Sequence, residues 1–232
     1  MIEQYDYGRK ISREEYYKIQ IDRSNEKFSC CRVSVLDAIF IWNVLHNNNF
    51  ELGPMICMGT RNGREVDLFR IVKNSSILGK IVYLFEIRRH AFSSALPIIE
   101  AIGRSNIKNI KDDSVIVVEV NPAAARCDIL TASFDELPAE YENTFSVLYS
   151  NAFDQSLDPY KTAKEWLRVL RNEAFVVLHY KENSKAVYTD PTGGLNIENL
   201  QQLFPGTVVH HSKSNMDQHN PDCLIIRINK PK

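Results

Sequence analysis

The chain has 232 residues, of which 44% are hydrophobic and 25% charged, and its formal net charge is −1. These values are ordinary for a globular protein, and the charge balance gives no global attraction to nucleic acid or to an anionic membrane. No apolar run approaches the roughly 20 residues of a membrane span, and the N-terminus lacks the basic and then apolar pattern of a signal peptide. The cysteines include no C-x-x-C pair, which argues against a disulfide framework and a zinc site. We therefore expect one cytoplasmic domain with no bound metal.

Two helices are predicted before the first strand. Ser12 and Glu15 have the spacing of a capping box, in which each side chain accepts a hydrogen bond from the backbone N–H of the other residue, so a helix begins there. A second helix is predicted over about residues 33–46, where apolar residues recur with a helical period. We interpret residues 1–50 as an N-terminal helical cap.

From residue 55 onward, continuous apolar runs alternate with helical segments. Such alternation is typical of a mostly parallel sheet with helices on both faces. The predicted strands cover residues 55–58, 81–87, 115–118, 127–130, 145–149 and 174–178. Helices are predicted over residues 65–72, 158–172 and 197–204. An antiparallel pair of strands, 207–210 and 223–228, is predicted to close the sheet.

The helix predicted at residue 158 has clear ends. Asp158 can cap it, and Pro159 suits its first turn. Asn172 is expected to adopt the left-handed conformation that stops it. Its buried face is predicted from apolar residues spaced at i, i+3, i+4 and i+7, namely Ala163, Trp166, Leu167 and Leu170.

A glycine-bearing turn, Met58-Gly59-Thr60-Arg61-Asn62-Gly63, joins the first of these strands to its helix. Gly59 lets the backbone approach a ligand closely, and Gly63 allows the helix to pack tightly on the strand. The start of the helix offers free N–H groups to an anion or a carboxylate. Ligands of open α/β sheets bind beyond the carboxyl ends of the strands, where this turn lies. The turn alone also fits a plain strand-to-helix corner, so other segments have to support a ligand site.

Two acidic residues in apolar runs are candidates for binding ribose hydroxyls. Glu86 is closer to the spacing of about 20 residues that is usual after a glycine turn. Glu119 ends a strand that leads through a short link to the next predicted strand, and we favour it for that reason. If Glu119 is the ribose acid, residues 73–113 are an insertion. An isolated glutamate at a strand end can also be merely solvated, so both interpretations stay open.

Polar side chains also follow the next two strands. Ser133 and Phe134 come after the strand predicted to follow Glu119 in the chain. Ser150, Asn151 and the nearby Asp154 come after the strand beyond it. Because the carboxyl ends of parallel strands meet at one edge of a sheet, we expect these side chains to lie close together.

The order of these segments resembles that of the class I S-adenosylmethionine-dependent methyltransferases, over about residues 55–178. The resemblance implies a Rossmann-like, doubly wound α/β sheet of seven mostly parallel strands with an antiparallel last strand, preceded here by N-terminal helices. It implies S-adenosylmethionine as the cofactor and a small-molecule methyl acceptor, and it is compatible with a homodimer. It assigns Asn151 and Asp154 to catalysis. It assigns cofactor contacts to Gly59, Thr60, Arg61, Asn62, Gly63, Glu119, Asn121, Ser133, Phe134 and Ser150.

Four residues depart from the family pattern. Cys57 stands where relatives usually have an acid before the glycines, and Arg61 replaces the middle glycine. Ser133 replaces an acid beside the adenine, and Gln155 stands where many relatives have histidine. Arg61, Cys57 and Ser133 motivate an alternative function, a non-catalytic protein that uses the same fold for binding or as a scaffold. A dehydrogenase is disfavoured because the chain has no full G-x-G-x-x-G sequence at this turn.

Overall fold

The computed structural model describes residues 1–27, 33, 35–48, 53–61, 63–74, 115–124, 129–212 and 222–230. Its helices are α1 (Arg13–Glu26), α2 (Val35–Asn47), α3 (Arg64–Asn74), α4 (Pro159–Val169) and α5 (Ile197–Leu203). Its strands are β1 (Glu3–Gln4), β2 (Met55–Met58), β3 (Val115–Glu119), β4 (Ile129–Thr131), β5 (Phe145–Ser150), β6 (Leu170–Tyr180), β7 (Thr192–Gly193), β8 (Gly206–Ser212) and β9 (Asp222–Ile228). Short 3-10 turns cover Pro122–Ala124, Ala139–Tyr141 and Phe153–Gln155.

The main sheet has seven strands in the order β4-β3-β2-β5-β6-β9-β8. The strands from β4 to β6 run parallel to one another, and β9 runs antiparallel to both of its neighbours. From β2 the sheet extends through β3 and β4 on one side and through β5 and β6 on the other. Ligands of doubly wound sheets bind at such a switch point, outside the carboxyl ends of the strands. The predicted mostly parallel sheet with an antiparallel last strand is confirmed.

Both faces of the sheet are covered, because successive side chains of each central strand point to opposite sides. In β2, Met55 and Cys57 pack with apolar side chains of α2 and α3. Ile56 and Met58 pack with apolar side chains of α4 and α5. All four are at most 1% exposed. A strand buried on both faces has to be apolar throughout, which is why this run predicted a central strand.

Helix α1 lies apart from these two cores and covers the carboxyl ends of the strands. It begins at the predicted capping box: the Glu15 N–H donates to Ser12 Oγ at 3.2 Å, and the Ser12 N–H donates to Glu15 Oε2 at 3.0 Å. Its buried side chains, Tyr16, Gln20 and Ser24, recur once per turn and line the pocket described below. The long polar helix at the start of the chain is therefore part of the site.

The helix that begins after residue 158 was predicted to extend to residue 172, and this predicted end is wrong. Asp158 caps α4 as predicted, but the helix ends at Val169. Leu170 is extended and fully buried, and it begins β6 beside the first residue of β5. The residue with a left-handed backbone is Glu173, with φ of 58°, and not Asn172. Burial of Leu170 in the sheet outweighs the helical pattern, so β6 begins before the predicted strand at 174–178.

A second, small sheet was not predicted. Strand β1 pairs antiparallel with β7, which places Glu3 opposite Gly193 and Gln4 opposite Thr192. Each strand has only 2 residues, too few to give a periodic signal. The Gln4 side chain also donates to the Leu157 carbonyl at 3.3 Å. These contacts fix the N-terminus beside the segment that joins β6 to α5.

Several predictions concern residues outside the described ranges. The insertion at 73–113 lies outside them except for its first residues, which end α3. The predicted strand at 81–87, with the rival ribose candidate Glu86, also lies outside them, as does Asn62 of the glycine turn. Among the residues that are described, no helix is both long and apolar enough to cross a membrane.

Candidate functional site

A pocket of about 660 Å³, a volume that includes space open to solvent, lies between α1 and the carboxyl ends of β2, β3 and β4. The side chains that α1 contributes to it are Arg13, Tyr16, Tyr17, Gln20, Arg23 and Ser24. The strand-end loops contribute Gly59, Arg61, Glu119, Val120, Ser133, Phe134 and Asp135. Gln155, Leu157 and Thr162 complete the described lining. The pocket thus brings together Gly59, Arg61, Glu119, Ser133 and Phe134 from the residues that the sequence predicted.

Both glycines of the glycine turn have left-handed backbones. Gly59 has φ of +69°, and a Cβ at this position would lie 2.7 Å from the Cβ of Ala152 in the neighbouring loop. Gly63 also has a left-handed backbone, with φ of 73°, and its N–H donates to the Thr60 carbonyl at 3.0 Å. Because a side chain at Gly59 would collide with the loop after β5, glycine holds the ends of β2 and β5 close together.

Arg61 occupies the middle of this turn with a left-handed backbone, at φ of 52°. That conformation costs a non-glycine residue roughly 1–2 kcal/mol. It is held in place by a hydrogen bond of 2.7 Å from the Arg61 N–H to Glu119 Oε2. The arginine therefore takes the backbone shape that a glycine would supply, and it is one of the residues that line the pocket.

Glu119 is the central acid of the pocket and is only 4% exposed. Its second oxygen, Oε1, accepts the N–H of Asn121 at 3.1 Å. Burial raises the pKa of this carboxyl above its ordinary value, and the backbone hydrogen bonds from Asn121 and Arg61 oppose that shift. A carboxylate oxygen has room for more than one hydrogen bond, so both oxygens can still accept a ligand hydroxyl.

Two other predicted cofactor residues use their side chains within the protein. The Asn121 side chain donates to Asn25 Oδ1 at 2.8 Å and accepts the N–H of Ala123 at 2.9 Å. The Ser150 hydroxyl is fully buried; it donates to the Met58 carbonyl at 3.2 Å and accepts the Ala152 N–H at 3.0 Å. Asn121 thereby joins α1 to the end of β3, and Ser150 joins the ends of β2 and β5.

The predicted catalytic residues lie beyond the end of β5. The Asn151 side chain donates to Glu65 Oε1, in the first turn of α3, at 2.7 Å. Asp154 is partly buried in the 3-10 turn Phe153–Gln155. Neither Asn151 nor Asp154 is among the described residues that line the pocket. They lie one strand further along the same edge of the sheet.

Asp135 is a pocket residue that the sequence reasoning missed. Its carboxylate accepts hydrogen bonds from the Ser133 hydroxyl, from Arg13 at 2.8 Å and from Lys161 at 3.4 Å. Burial acts to raise the pKa of Asp135, but the hydrogen bonds from Ser133 and Arg13 outweigh it and leave the pKa lowered. Asp135 is therefore a firmly ionised group that holds α1 against the loop after β4.

The contribution of α1 was also missed, because a polar helix face is ordinarily exposed to solvent. The Tyr16 hydroxyl donates to the Gln155 carbonyl and accepts from the Gln20 amide at 2.8 Å. The same amide donates to the Thr189 carbonyl at 2.8 Å. Residues four apart lie on the same face of a helix, so Tyr16, Gln20 and Ser24 share one buried face. Such a face suits the wall of a ligand site better than it suits a core.

Known proteins resemble the chain in structure and not in sequence. No protein-family model matches it, and no curated protein matches it. A 1,6-didemethyltoxoflavin-N1-methyltransferase from Burkholderia thailandensis, with bound 1,6-didemethyltoxoflavin and S-adenosylhomocysteine, matches with a TM-score of 0.60 at 12% identity, over 99% of this chain and 95% of its own. The N-methyltransferase NodS from Bradyrhizobium japonicum WM9, in complex with S-adenosylhomocysteine, matches with a TM-score of 0.53 at 9% identity, over 92% of this chain and 99% of its own. The chain has the class I methyltransferase fold.

Two departures from the family pattern have a structural explanation within this methyltransferase fold. Arg61 has a left-handed backbone, with φ of 52°, a conformation that glycine adopts readily. Ser133 replaces an acid, but its hydroxyl donates to Asp135, which brings a carboxylate into the same pocket.

Among the described residues, no group of three or more His, Cys, Asp or Glu side chains is arranged to hold a metal ion.

Replacing Arg13 with methionine is expected to increase the dissociation rate of a ligand in the pocket about fivefold. The loss of one partly buried ion pair changes a free energy by about 1 kcal/mol, which corresponds to this factor. Arg13 holds α1 over the pocket through ion pairs with Asp135, at 2.8 Å, and with Glu136. Stopped-flow fluorescence with bound S-adenosylhomocysteine measures the rate. Arg9→Met is the control, because the Arg9–Glu15 pair is exposed and within one chain segment. Equal dissociation rates for the wild type and Arg13→Met would show that these ion pairs do not hold α1 over the pocket.

Proposed function

We propose that the chain is a diverged class I methyltransferase, which binds S-adenosylmethionine in the pocket under α1 and methylates a small-molecule acceptor. The observation that carries the proposal is the buried carboxylate of Glu119, which lines the pocket at the end of β3 beside the glycine turn. Each of its oxygens accepts one backbone hydrogen bond and keeps a further acceptor site. Two adjacent ribose hydroxyls need that arrangement of acceptors.

The other residues of the pocket fit the cofactor. The Ser24 hydroxyl is buried, and among the described residues it has no hydrogen-bond partner. Buried polar groups in native proteins are usually bonded, so a polar ligand in the pocket would supply what this hydroxyl lacks. The Phe134 ring is partly buried beside Trp166, with ring centroids 5.9 Å apart, and it offers a flat apolar surface to an adenine.

The order of the strands gives the order of the proposed contacts. Neighbouring strands lie about 4.8 Å apart, so the edge from β4 to β5 spans roughly 14 Å by the same spacing. Along this edge the sheet presents Ser133 and Phe134 after β4, Glu119 at β3, the glycine turn after β2 and Asn151 after β5. We assign the adenine to β4, the ribose to β3 and the reacting end of the cofactor to the gap between β2 and β5.

For methyl transfer, the protein has to position the acceptor and remove a proton from it. When bound, S-adenosylmethionine supplies a methyl group that is electrophilic because it is carried by a sulfonium. Holding an acceptor in line with that group lowers the barrier by removing the entropic cost of the encounter. We assign to Asn151 and Asp154, which follow β5, the role of orienting the acceptor, and to the Asp154 carboxylate the removal of the proton that a hydroxyl or amine loses.

A small acceptor is supported by one of the two matched methyltransferases, which is crystallised with the small molecule 1,6-didemethyltoxoflavin. The described cysteines, Cys57 and Cys223, are buried thiols, which agrees with the cytoplasmic location that we propose.

Calorimetric titration with S-adenosylmethionine and S-adenosylhomocysteine tests the proposal directly. We expect saturable binding of both in the micromolar range, the usual scale for enzyme substrates. No heat of binding with either compound at millimolar concentration would overturn the proposal.

A non-catalytic binding protein is the second candidate function. It is favoured by Arg61, a pocket-lining residue that stands where the family pattern has a glycine. The two candidates differ in one result: the non-catalytic protein binds S-adenosylhomocysteine but transfers no methyl group to any acceptor in a screen with methyl-labelled cofactor. Arg61→Gly distinguishes the two candidate functions further. Methyl transfer should appear in this variant only if the arginine obstructs methyl transfer in the wild type.

Replacing Asp154 with asparagine is expected to lower turnover at least about 100-fold, the lower end of the effect of a general base. The affinity for S-adenosylhomocysteine should stay unchanged, because the change is proposed to touch only the acceptor. Turnover is measured with the acceptor found by the labelled-cofactor screen. The control is Asp158→Asn, since asparagine caps a helix as well as aspartate does and Asp158 caps α4. Unchanged turnover in Asp154→Asn would remove Asp154 from the reaction.

A further inference from the structure

A second cavity, here called the amino-end cavity, lies away from the pocket under α1, at the amino ends of β6 and β8. Its volume is about 1050 Å³, which includes space open to solvent. Its described lining residues are Asn48, Asn172, Glu173, Thr207, Val209, Arg227, Asn229 and Lys230. Except for Asn48, which follows α2, they lie at the start of β6, in β8 and at or after the end of β9. The 6 residues of β5 rise about 3.3 Å each, so the amino-end cavity lies roughly 20 Å from the carboxyl ends of the parallel strands.

The composition of this lining suits a ligand that carries a negative charge and several acceptor oxygens. Arginine and lysine side chains have hydrogen-bond donors only, and each asparagine amide has two donors. The described lining has two cationic residues, Arg227 and Lys230, and one acidic residue, Glu173. The Lys230 ammonium donates to Asn143 Oδ1 at 2.8 Å and to the Leu170 carbonyl. These two contacts use two of its three N–H donors.

Arg227 is incompletely bonded within the described part of the chain. Its Nε is buried and has no hydrogen-bond partner among the described residues. Its Nη2 lies 4.0 Å from Glu173 Oε2, which is longer than a hydrogen bond. Buried polar groups in native proteins are usually bonded, and the planar fork of a guanidinium matches two oxygens of one oxyanion. An oxyanion in the cavity would therefore give Arg227 the acceptors that Glu173 does not supply.

Glu173 is only a weak partner for Arg227. Its side chain is 69% exposed, and an exposed ion pair contributes little to stability because water and salt screen it. The Glu173 carboxylate can therefore turn toward solvent when another anion approaches the guanidinium. Until then, its negative charge competes with that anion.

We propose that the amino-end cavity binds a phosphate group, either free or carried by a small metabolite, with Arg227 as its main contact. Lys230 and the lining asparagines supply further donors. A phosphate is favoured over a carboxylate because it offers three acceptor oxygens and a charge close to −2, which suits a lining with two cations and several amides. The site is separate from the pocket under α1, so this inference does not depend on the proposed function.

The test is calorimetric titration of the full chain, without cofactor, in a phosphate-free buffer at constant ionic strength. The probes are inorganic phosphate and glycerol 3-phosphate, and we expect the wild type to bind at least one of them with a Kd of about 1 mM, the scale of a few charge-assisted contacts. Arg227→Met keeps the apolar stem and removes the guanidinium, so it should raise this Kd at least about tenfold. Glu173→Gln removes the competing charge and should lower it about threefold. Tighter binding of glycerol 3-phosphate would assign the site to a phosphorylated metabolite, and equal or tighter binding of inorganic phosphate would assign it to the free ion.

Two controls distinguish a phosphate site from a general attraction of anions. Arg9→Met removes a cation from the exposed Arg9–Glu15 pair and should leave the Kd unchanged, and acetate should bind the wild type far more weakly than phosphate does. Equal weakening by Arg9→Met and Arg227→Met, or equal binding of acetate and phosphate, would overturn the inference. So would the absence of any heat of binding with both probes at tens of millimolar.

Circular dichroism checks that Arg227→Met is folded. If it is not, the exposed Glu173→Gln decides alone, and an unchanged Kd in that variant would overturn the inference. None of these measurements uses S-adenosylmethionine or its product, so a negative result here would leave the proposed function as it stands.

Discussion

Glu119→Gln is expected to raise the Kd for S-adenosylhomocysteine about 100-fold, which corresponds to roughly 2.7 kcal/mol at 1.36 kcal/mol per factor of ten. The carboxylate is proposed to accept two ribose hydroxyls, and hydrogen bonds to a charged group are worth about 1.5–3 kcal/mol each. A glutamine removes the charge and replaces one acceptor by a donor, so one hydroxyl loses its partner. Calorimetry measures the change in Kd, and circular dichroism checks that the variant is folded.

Glu140→Gln is the matched control, because Glu140 is an exposed glutamate in the 3-10 turn Ala139–Tyr141. It should leave the Kd unchanged. If both substitutions had the same effect, Glu119 would be no more than a strand-end acid, and the site would have to be sought elsewhere.

The pH dependence of binding gives an independent check on the same residue. The ligand hydroxyls donate to the ionised carboxylate, so affinity is lost as the pH falls through the pKa of Glu119 in the free protein. Burial raises that pKa above its ordinary value of 4.5. The loss should therefore begin at a higher pH than for an exposed glutamate, and Glu119→Gln should remove this part of the profile. A wild-type Kd that stays constant down to pH 4.5 would contradict the assignment.

The central sheet could be predicted from the sequence because its signal is local. The runs at 55–58 and 115–118 are apolar throughout, and the run at 145–149 is apolar except for Ser146, as is typical of strands buried on both faces. Their parallel arrangement was predicted from the alternation with helices, and the number of strands from the resemblance to a known family. The glycine turn and Glu119 were found in the same way, since each lies directly at the end of such a run.

The parts that were missed depend on contacts between distant segments. No local pattern shows that Leu170 leaves its helix to pair with the start of β5. Nor does one show that Arg13 reaches Asp135, on the loop after β4. Glu65 was missed because a glutamate in the first turn of a helix ordinarily stabilises the helix dipole and faces water. Only the fold shows that this glutamate is buried against Asn151.

Trp166 connects the core of the molecule to the site. It is fully buried in α4, with its ring 5.2 Å from that of Phe153 and stacked at 6.0 Å on that of Phe204. Its indole N–H donates to the Phe134 carbonyl at 2.8 Å. One side chain thus supports both the proposed adenine surface, at Phe134, and the turn that carries Asp154.

Trp166→Ala is therefore expected to destabilise the protein by about 3–5 kcal/mol, the cost of truncating a large buried aromatic residue. For a chain of this size that loss lowers Tm by roughly 10 °C, which differential scanning calorimetry detects. Tyr160→Ala on the same helix is the control, because Tyr160 is 65% exposed and its loss should cost less than about 0.5 kcal/mol. A Tm for Trp166→Ala equal to that of the control would contradict the packing of α4 described above.

Trp166→Phe separates the packing of this residue from its hydrogen bond. Phenylalanine fills most of the same volume but leaves the Phe134 carbonyl without its donor, at a cost of about 1–3 kcal/mol. Because Phe134 lines the pocket, this loss should appear in the Kd for S-adenosylhomocysteine as well as in Tm. A fall in Tm with an unchanged Kd would mean that Phe134 contributes to the core alone, and the adenine would then have to rest on other residues of the loop after β4.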